Sequence, residues 1–300
     1  MSAAREREDG ATGGREDIAP AYLKFFDDAA VFPPGSASLD RAIHGWYARE
    51  RSPLAEVTGP LVLRPGDLSA AQDLVRRLAP GRALPVVVVA AVEEAERLVA
   101  SRRTLEPEVS LVGLELTARP SALSWDEAVH RIREVAAEVP VAVELDARQM
   151  AAGSAASLVE PGIIVKFRAG GLDAALFPTP ETLGSMVHEA VRRGVPFKLT
   201  AGLHQAVRHT NPQTGLTHHG FLNVALAVEK ARNGEDLNAV VEALRQTDGD
   251  ALSSWAQASD GVWRESFRSF GTCSVREPLE SLAQLGLFPA ALLHDEPTPR

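Results

Sequence analysis

The sequence contains a single cysteine, Cys273. That excludes an intrachain disulfide and any metal site built from several cysteines, and it fits a reducing, cytoplasmic setting. Lysine and arginine form no block and the formal net charge is -9, so the electrostatic footprint of a nucleic-acid-binding protein is missing. No stretch offers about 18 consecutive apolar residues, and residues 1–20 are polar and charged, without the apolar core of a signal peptide. Neither nucleic acid nor membrane is therefore an expected partner. A small anionic substrate is compatible with the negative total, because positive charge can be local, and the chain leaves room for a homo-oligomer.

What is present is ordinary globular composition, 45% hydrophobic and 24% charged over 300 residues. A (β/α)8 barrel uses about 250 residues for one core, so the length does not force a second domain. Residues 1–19 and 294–300 lack periodic apolar positions and read as flexible tails around a domain at 20–293. Within that domain strand-like runs alternate with helix-like ones. The strand candidates are residues 23–32, 60–64, 84–91, 110–117, 140–146, 162–168, 196–201 and 267–273, eight in all. Thr179-Pro180-Glu181 marks a helix start, with a capping hydroxyl before a proline at the first helical position, and Gly194 marks its end. Residues 124–127 and 69–72 read as capping boxes, each followed by an amphipathic stripe. Eight strands joined by helical crossovers favour closure into a TIM barrel over an open doubly wound sheet.

One crossover is too long. Residues 204–260, after the seventh strand, hold a polar loop at 209–220 and helical segments near 222–232 and 237–244, and read as an enlarged, lid-like insertion over the barrel mouth.

Side chains on a barrel strand alternate between the interior and the helix layer, and the helix-facing set must be apolar. That set reads Val112, Leu114 and Leu116 on the fourth strand, Val141, Val143 and Leu145 on the fifth, Ile163, Val165 and Phe167 on the sixth, and Phe197 and Leu199 on the seventh. The opposite parity turns Glu115, Glu144, Lys166 and Lys198 inward, with Thr117, Asp146, Arg168 and Thr200 a layer nearer the rim. Burying an unpaired charge costs several kcal/mol, so these groups must pair, shift their pKa values, or both. They form either a structural charge network or an active site, and the C-terminal mouth is where such barrels carry chemistry. A lysine attacks a carbonyl only as the neutral amine, and desolvation or a second nearby cation favours that form. Glu144 or Glu115 is placed to move protons for such a step.

The same segments resemble the deoxyribose-phosphate aldolase family of class I aldolases. Ile164-Val165-Lys166 followed by Gly170 is similar to the family's sixth-strand segment, and Thr179-Pro180-Glu181 to its next helix. Residues 195–203, Val-Pro-Phe-Lys-Leu-Thr-Ala-Gly-Leu, resemble the seventh-strand segment, and residues 268–274, Arg-Ser-Phe-Gly-Thr-Cys-Ser, the eighth-strand phosphate loop. The resemblance implies that Lys166 forms a Schiff base and that Lys198, 32 positions later, perturbs it. It implies a carbon–carbon lyase that needs no cofactor. The chain departs from the family in the local sequence around Glu115, in Phe167-Arg168-Ala169 where the family carries small hydroxyl residues, and in the long insertion.

The remaining polar candidates carry weaker signals. His204, His209, His218 and His219 cluster near the insertion loop without a metal-ligand spacing, and His204, nearest the strand, is the best placed to reach a substrate. Gly271, Thr272 and Ser274 precede a helix near Pro278 and form a candidate anion loop, which Arg168 and Arg208 would reinforce. Asp27, Asp28 and Asn223 read as capping or strand-end polarity, and Cys273 as a small buried hydrophobe. No metal site is expected. The expected function is a Schiff-base, aldolase-like lyase acting on a small anionic carbonyl compound. A metal-dependent hydrolase or isomerase on the same barrel, and a non-catalytic barrel with a structural charge network, are the alternatives.

Overall fold

The computed structural model describes residues 18–117 and 123–293. Of the two expected tails, residues 1–17 and 294–300 lie outside the described residues. The strands are β1 (Phe26–Asp28), β2 (Thr58–Leu63), β3 (Leu84–Ala91), β4 (Val109–Thr117), β5 (Val141–Glu144), β6 (Ile163–Arg168), β7 (Phe197–Thr200), β8 (His209–Thr210), β9 (Thr217–His218) and β10 (Phe267–Thr272). Eight of them close into a barrel in the order β1-β10-β7-β6-β5-β4-β3-β2, every neighbouring pair parallel. β8 and β9 form a separate antiparallel hairpin. The chain is thus a (β/α)8 TIM barrel, and each of the eight strand segments read from the sequence overlaps one of its strands.

The helices are α1 (Leu39–Glu50), α2 (Leu68–Leu78), α3 (Ala95–Ala100), α4 (Arg102–Leu105), α5 (Trp125–Ala136), α6 (Ala147–Ala151), α7 (Pro180–Arg192), α8 (Phe221–Arg232), α9 (Leu237–Arg245), α10 (Gly249–Ala258) and α11 (Arg276–Gln284). Their starts follow local chemistry. Ser124 accepts from the Glu127 amide while Glu127 reaches back to Ser124, and Thr179 caps α7 ahead of Pro180. The box expected at residues 69–72 does not form. Ser69 already lies inside α2, and Gln72 turns away to donate to the Thr104 and Leu105 carbonyls. The turn ahead of α2 is closed instead at Arg64 and Asp67, where the Arg64 amide donates to the Asp67 carboxylate and the Asp67 amide to the Arg64 carbonyl.

β4 departs from simple alternation. Val86 pairs with Leu111 but Val87 pairs with Gly113, so Val112 is an extra residue in a bulge, and it is 39% exposed. It does not belong to the helix-facing set, whereas Leu114 and Leu116 beyond the bulge are buried. The bulge resets the parity that carries Glu115 inward.

The insertion also differs from a lid. Only the hairpin β8–β9 and its flanks reach the mouth, where the His218 ring packs on Phe177. α8 is the crossover helix itself, burying Phe221 against Phe25, Phe26 and Phe270 at the β1–β10 seam. α9 packs outside it, held where Asn223 donates to the Ala243 and Gln246 carbonyls and where Val241 lies against Gly184 of α7. Asn223, expected as a cap, is fully buried and ties α8 to α9. Among the described residues no helix is long and apolar enough to cross a membrane.

Phe25 is the hub of the seam, with its ring against those of Phe26, Phe221, Trp263, Phe267 and Phe270. Phe25→Ala is expected to lower the urea unfolding free energy by about 3–5 kcal/mol, the range for a fully buried phenylalanine. Val112→Thr should change it by less than about 0.5 kcal/mol, as an exposed bulge residue allows.

Candidate active site

Register places the inward charges side by side. Glu144 pairs with Lys166 across β5–β6, and Lys166 with Lys198 across β6–β7. Lys166 is 1% exposed and Lys198 4%. Lys166 Nζ lies 2.9 Å from Glu115 Oε2 and 2.9 Å from Glu144 Oε2. Lys198 Nζ lies 2.5 Å from Glu115 Oε1 and 2.6 Å from Asp27 Oδ2. Arg168 approaches Glu144 at 3.6 Å. The result is one alternating chain, Asp27, Lys198, Glu115, Lys166, Glu144, Arg168, in which Glu115 bridges the two lysines.

Electrostatics follow from this order. Burial alone would raise the Glu115 carboxyl, but Lys166 and Lys198 outweigh it and hold the group down at about 2. Burial opposes the Lys198 charge, and the Asp27 and Glu115 carboxylates overcome that and keep the ammonium above its usual range. Glu115 is therefore a fixed anion, and Lys198 a fixed cation.

Asp27 was not legible as part of this chain. It is 4% exposed, accepts from Ser269 Oγ at 2.7 Å as well as from Lys198, and occupies space that only a glycine at position 59 leaves open. A Cβ on Gly59 would lie 2.2 Å from Asp27 Oδ1. Its neighbour Asp28 points the other way, to Arg49, and accepts from the Ala30 amide. The available signal was the alternation Phe26-Asp27-Asp28, which puts the two acids on opposite faces of β1.

A cavity of about 350 Å³ opens at the C-terminal ends of the strands. Lys166 and Glu115 form part of its lining, as do Arg168, Thr200, His204 and Gly271; Lys198 and Glu144 lie behind it. Ala201, in the left-handed region at φ 59, also lines it, a strained position of the kind found at functional sites. The other expected binding residues are elsewhere. Asp146 caps α6 by accepting from the Gln149 amide. Arg208 turns back to His219 and its own amide donates to Asn223. Thr272 is buried against the Ser274 carbonyl, and Ser274 accepts from the Glu277 amide at the start of α11. The expected anion loop thus gives the cavity only Gly271 and the adjacent Cys273.

No protein-family model and no curated protein matches the sequence. Among solved structures, the chain is similar to a protein provisionally described as a dihydrodipicolinate synthetase from Pseudomonas aeruginosa, at 12% identity and a TM-score of 0.39, over 92% of this chain and 100% of the other. It is similar to dihydrodipicolinate synthase from Bacillus clausii at 12% identity and a TM-score of 0.34, over 88% and 97%. A protein provisionally described as a fructose-1,6-bisphosphate aldolase from Coccidioides immitis matches at 12% and 0.34, over 92% and 86%. Overlaps this loose carry no argument about chemistry. None of the three is a deoxyribose-phosphate aldolase, and the barrel rests on its own strand pairing.

The histidines divide by environment. His219 is fully buried, its Nε2 donating to the Pro178 carbonyl and its Nδ1 facing Arg208 at 3.3 Å; burial drives it down to about 4, so it is neutral. His204 Nδ1 lies 2.9 Å from Glu277 Oε2. Burial works against its charge, but the Cys273 sulfur and the Glu277 carboxylate outweigh it and hold the imidazolium up at about 9. His209 and His218 stack at 5.1 Å, and burial lowers His209. Among the described residues, no group of three or more His, Cys, Asp or Glu side chains is arranged to hold a metal ion.

Folded His204 keeps its proton to about pH 9, whereas the unfolded chain releases it near 6.5. The stability this pair supplies is therefore complete below about pH 6.5 and is lost as pH rises through about 9. Glu277→Gln is expected to bring the His204 titration, followed by NMR, down toward 6.5. The gap in unfolding midpoint between wild type and variant should be widest near pH 6 and closed above 9.

Proposed function

We propose that the chain is a Schiff-base-forming carbon–carbon lyase acting on a small anionic carbonyl compound, with Lys166 as the amine. The observation that carries this reading is position: of the two buried lysines only Lys166 lines the cavity, and it does so between two carboxylates. Lys198, although 4% exposed against 1% for Lys166, is held by Asp27 and Glu115 and is not part of the cavity lining. The resemblance to class I aldolases in the β6 and β7 segments supports the same assignment. A cytoplasmic location, argued from one cysteine, belongs with this reading.

The chemistry requires Lys166 to lose a proton before it attacks. Glu144 is the acceptor, because Glu115, held at about 2 by two ammonium groups, is too weak a base. Lys198 offsets the charge of Glu115. The Lys166 amine then forms an N–C bond to the substrate carbonyl as its π electrons move to oxygen. The proton held by Glu144 passes through water to that oxygen; Glu144 then takes a second proton from the positively charged nitrogen and passes it on by the same route, and the oxygen leaves as water to give the iminium. The hydroxyl on the carbon beyond the breaking bond loses its proton, that fragment leaves as an aldehyde or ketone while the electrons of the carbon–carbon bond flow into the iminium, the enamine takes a proton at carbon, and addition of water to the resulting iminium frees the amine and the second carbonyl product. Arg168 and His204, the cations on the cavity wall, receive the anionic group. No cofactor is required for these steps.

One observation favours a second reading. All six charges of the chain from Asp27 to Arg168 have partners, so the network is complete as a structural device. The two readings separate on incubation with a panel of small aldehydes and ketones, borohydride reduction and peptide mapping by mass spectrometry. The lyase reading predicts a reduced adduct on Lys166, abolished in Lys166→Met; no adduct across the panel sinks it in favour of the structural network. Lys166→Met should also destabilise the fold by about 3–5 kcal/mol, because Glu115 and Glu144 lose their shared ammonium.

A further inference from the structure

The walls of the cavity differ in character from its floor. Much of the lining around Lys166 is apolar: Phe32, Pro33, Val62, Leu172, Leu176 and Phe177 face the space. Among the described residues, the hydrogen-bonding side chains lining the cavity besides Lys166 and Glu115 are Arg168, Thr200, His204 and His218, with the weakly polar thiol of Cys273. His218 Nδ1 is already engaged with the Gly202 carbonyl and His204 Nδ1 with Glu277. A compound bearing several hydroxyls would leave most of them facing hydrocarbon, at the cost of their hydrogen bonds to water.

The segment after β6 is built to put apolar side chains there. A Cβ on Gly171 would lie 2.4 Å from Leu176 Cδ1, and one on Gly170 would lie 2.9 Å from Phe177 Cε1, so the two glycines let Leu176 and Phe177 fold directly onto the backbone at the mouth. Leu172, in the same segment, is 75% exposed, the most exposed large hydrophobic side chain among the described residues. It is exposed and at the same time lines the cavity.

Resting on the lyase reading, we infer that the substrate is a carbonyl compound with a predominantly apolar aliphatic or aromatic body and a single anionic group, rather than a polyhydroxylated sugar phosphate. Its carbonyl meets Lys166 on the cavity floor, its body lies against Leu172, Leu176 and Phe177, and its anionic group meets Arg168 and His204. The cavity, at about 350 Å³, falls in the range of small-molecule sites.

Non-reacting analogues test this without any covalent step. Isothermal titration calorimetry on the full chain compares 3-phenylpropanoate with glycerate, which share a carboxylate and differ in the body, and adds glycerol 3-phosphate as the hydroxylated phosphate. 3-Phenylpropanoate is expected to bind at least about ten-fold more tightly than either, a preference that burial of an aromatic body readily supplies. Leu172→Ser, a neutral change at a position that is 75% exposed, should weaken 3-phenylpropanoate about ten-fold and glycerate by less than about two-fold. Equal or tighter binding of glycerate or glycerol 3-phosphate overturns the inference, as does an unchanged 3-phenylpropanoate affinity in Leu172→Ser. The two failures are distinguishable: borohydride adducts on Lys166 without the apolar preference leave the lyase reading standing, and the preference without adducts removes only that reading.

Discussion

The interaction on which the interior depends is the double contact of Glu115 with Lys166 and Lys198. A carboxylate inside a barrel is tolerable only if its charge is met, and a second ammonium beside the first is tolerable only if something negative lies between them. Glu115 answers both needs at once, with one oxygen on each lysine. Asp27 then terminates the chain behind Lys198, and Glu144 with Arg168 carries it from Lys166 toward the mouth. The ends are unequal. Behind Lys198 the chain closes on buried groups, while beyond Lys166 it opens on a cavity.

That inequality assigns roles which parity alone leaves symmetrical. Both lysines lie on adjacent strands in register, and nothing in their local sequence ranks them by access. The ranking comes from β1, whose Asp27 reaches past the intervening β10 to hold Lys198 on β7, and from Gly59 on β2, which leaves room for it. Around the mouth the same economy recurs. The β8–β9 hairpin, the segment after β6 and the His204–Glu277 pair each bring a few side chains to the cavity, while α8, α9 and α10 remain in the outer layer.

Much of this was written in the sequence at short range. The strands, the caps at Ser124 and Thr179, and the inward parity of Glu115, Glu144, Lys166 and Lys198 follow from periodicities that span a handful of residues. What escaped depends on longer range. β1 is three residues long; its alternation separates Asp27 from Asp28, but which of the two meets a lysine is decided by a partner 171 positions away. Val112 looks like a helix-facing residue until pairing with β3 shows a bulge, which no single strand reveals. Asp146 and Arg208 have the right chemistry for a mouth, but a helix cap and a neutral His219 claim them first. The helices of the insertion are amphipathic whether they cover a mouth or a neighbouring helix, so their placement is decided by Asn223 and Phe221 meeting partners outside their own segment.

The central claim is that one of two buried lysines is accessible to a carbonyl and the other is not. Reductive methylation of the folded protein with limiting formaldehyde and cyanoborohydride, read peptide by peptide in a mass spectrometer, measures that difference at Lys166 and Lys198. The account predicts modification at Lys166 with Lys198 untouched until the protein unfolds. Modification of Lys198 ahead of Lys166 would contradict it.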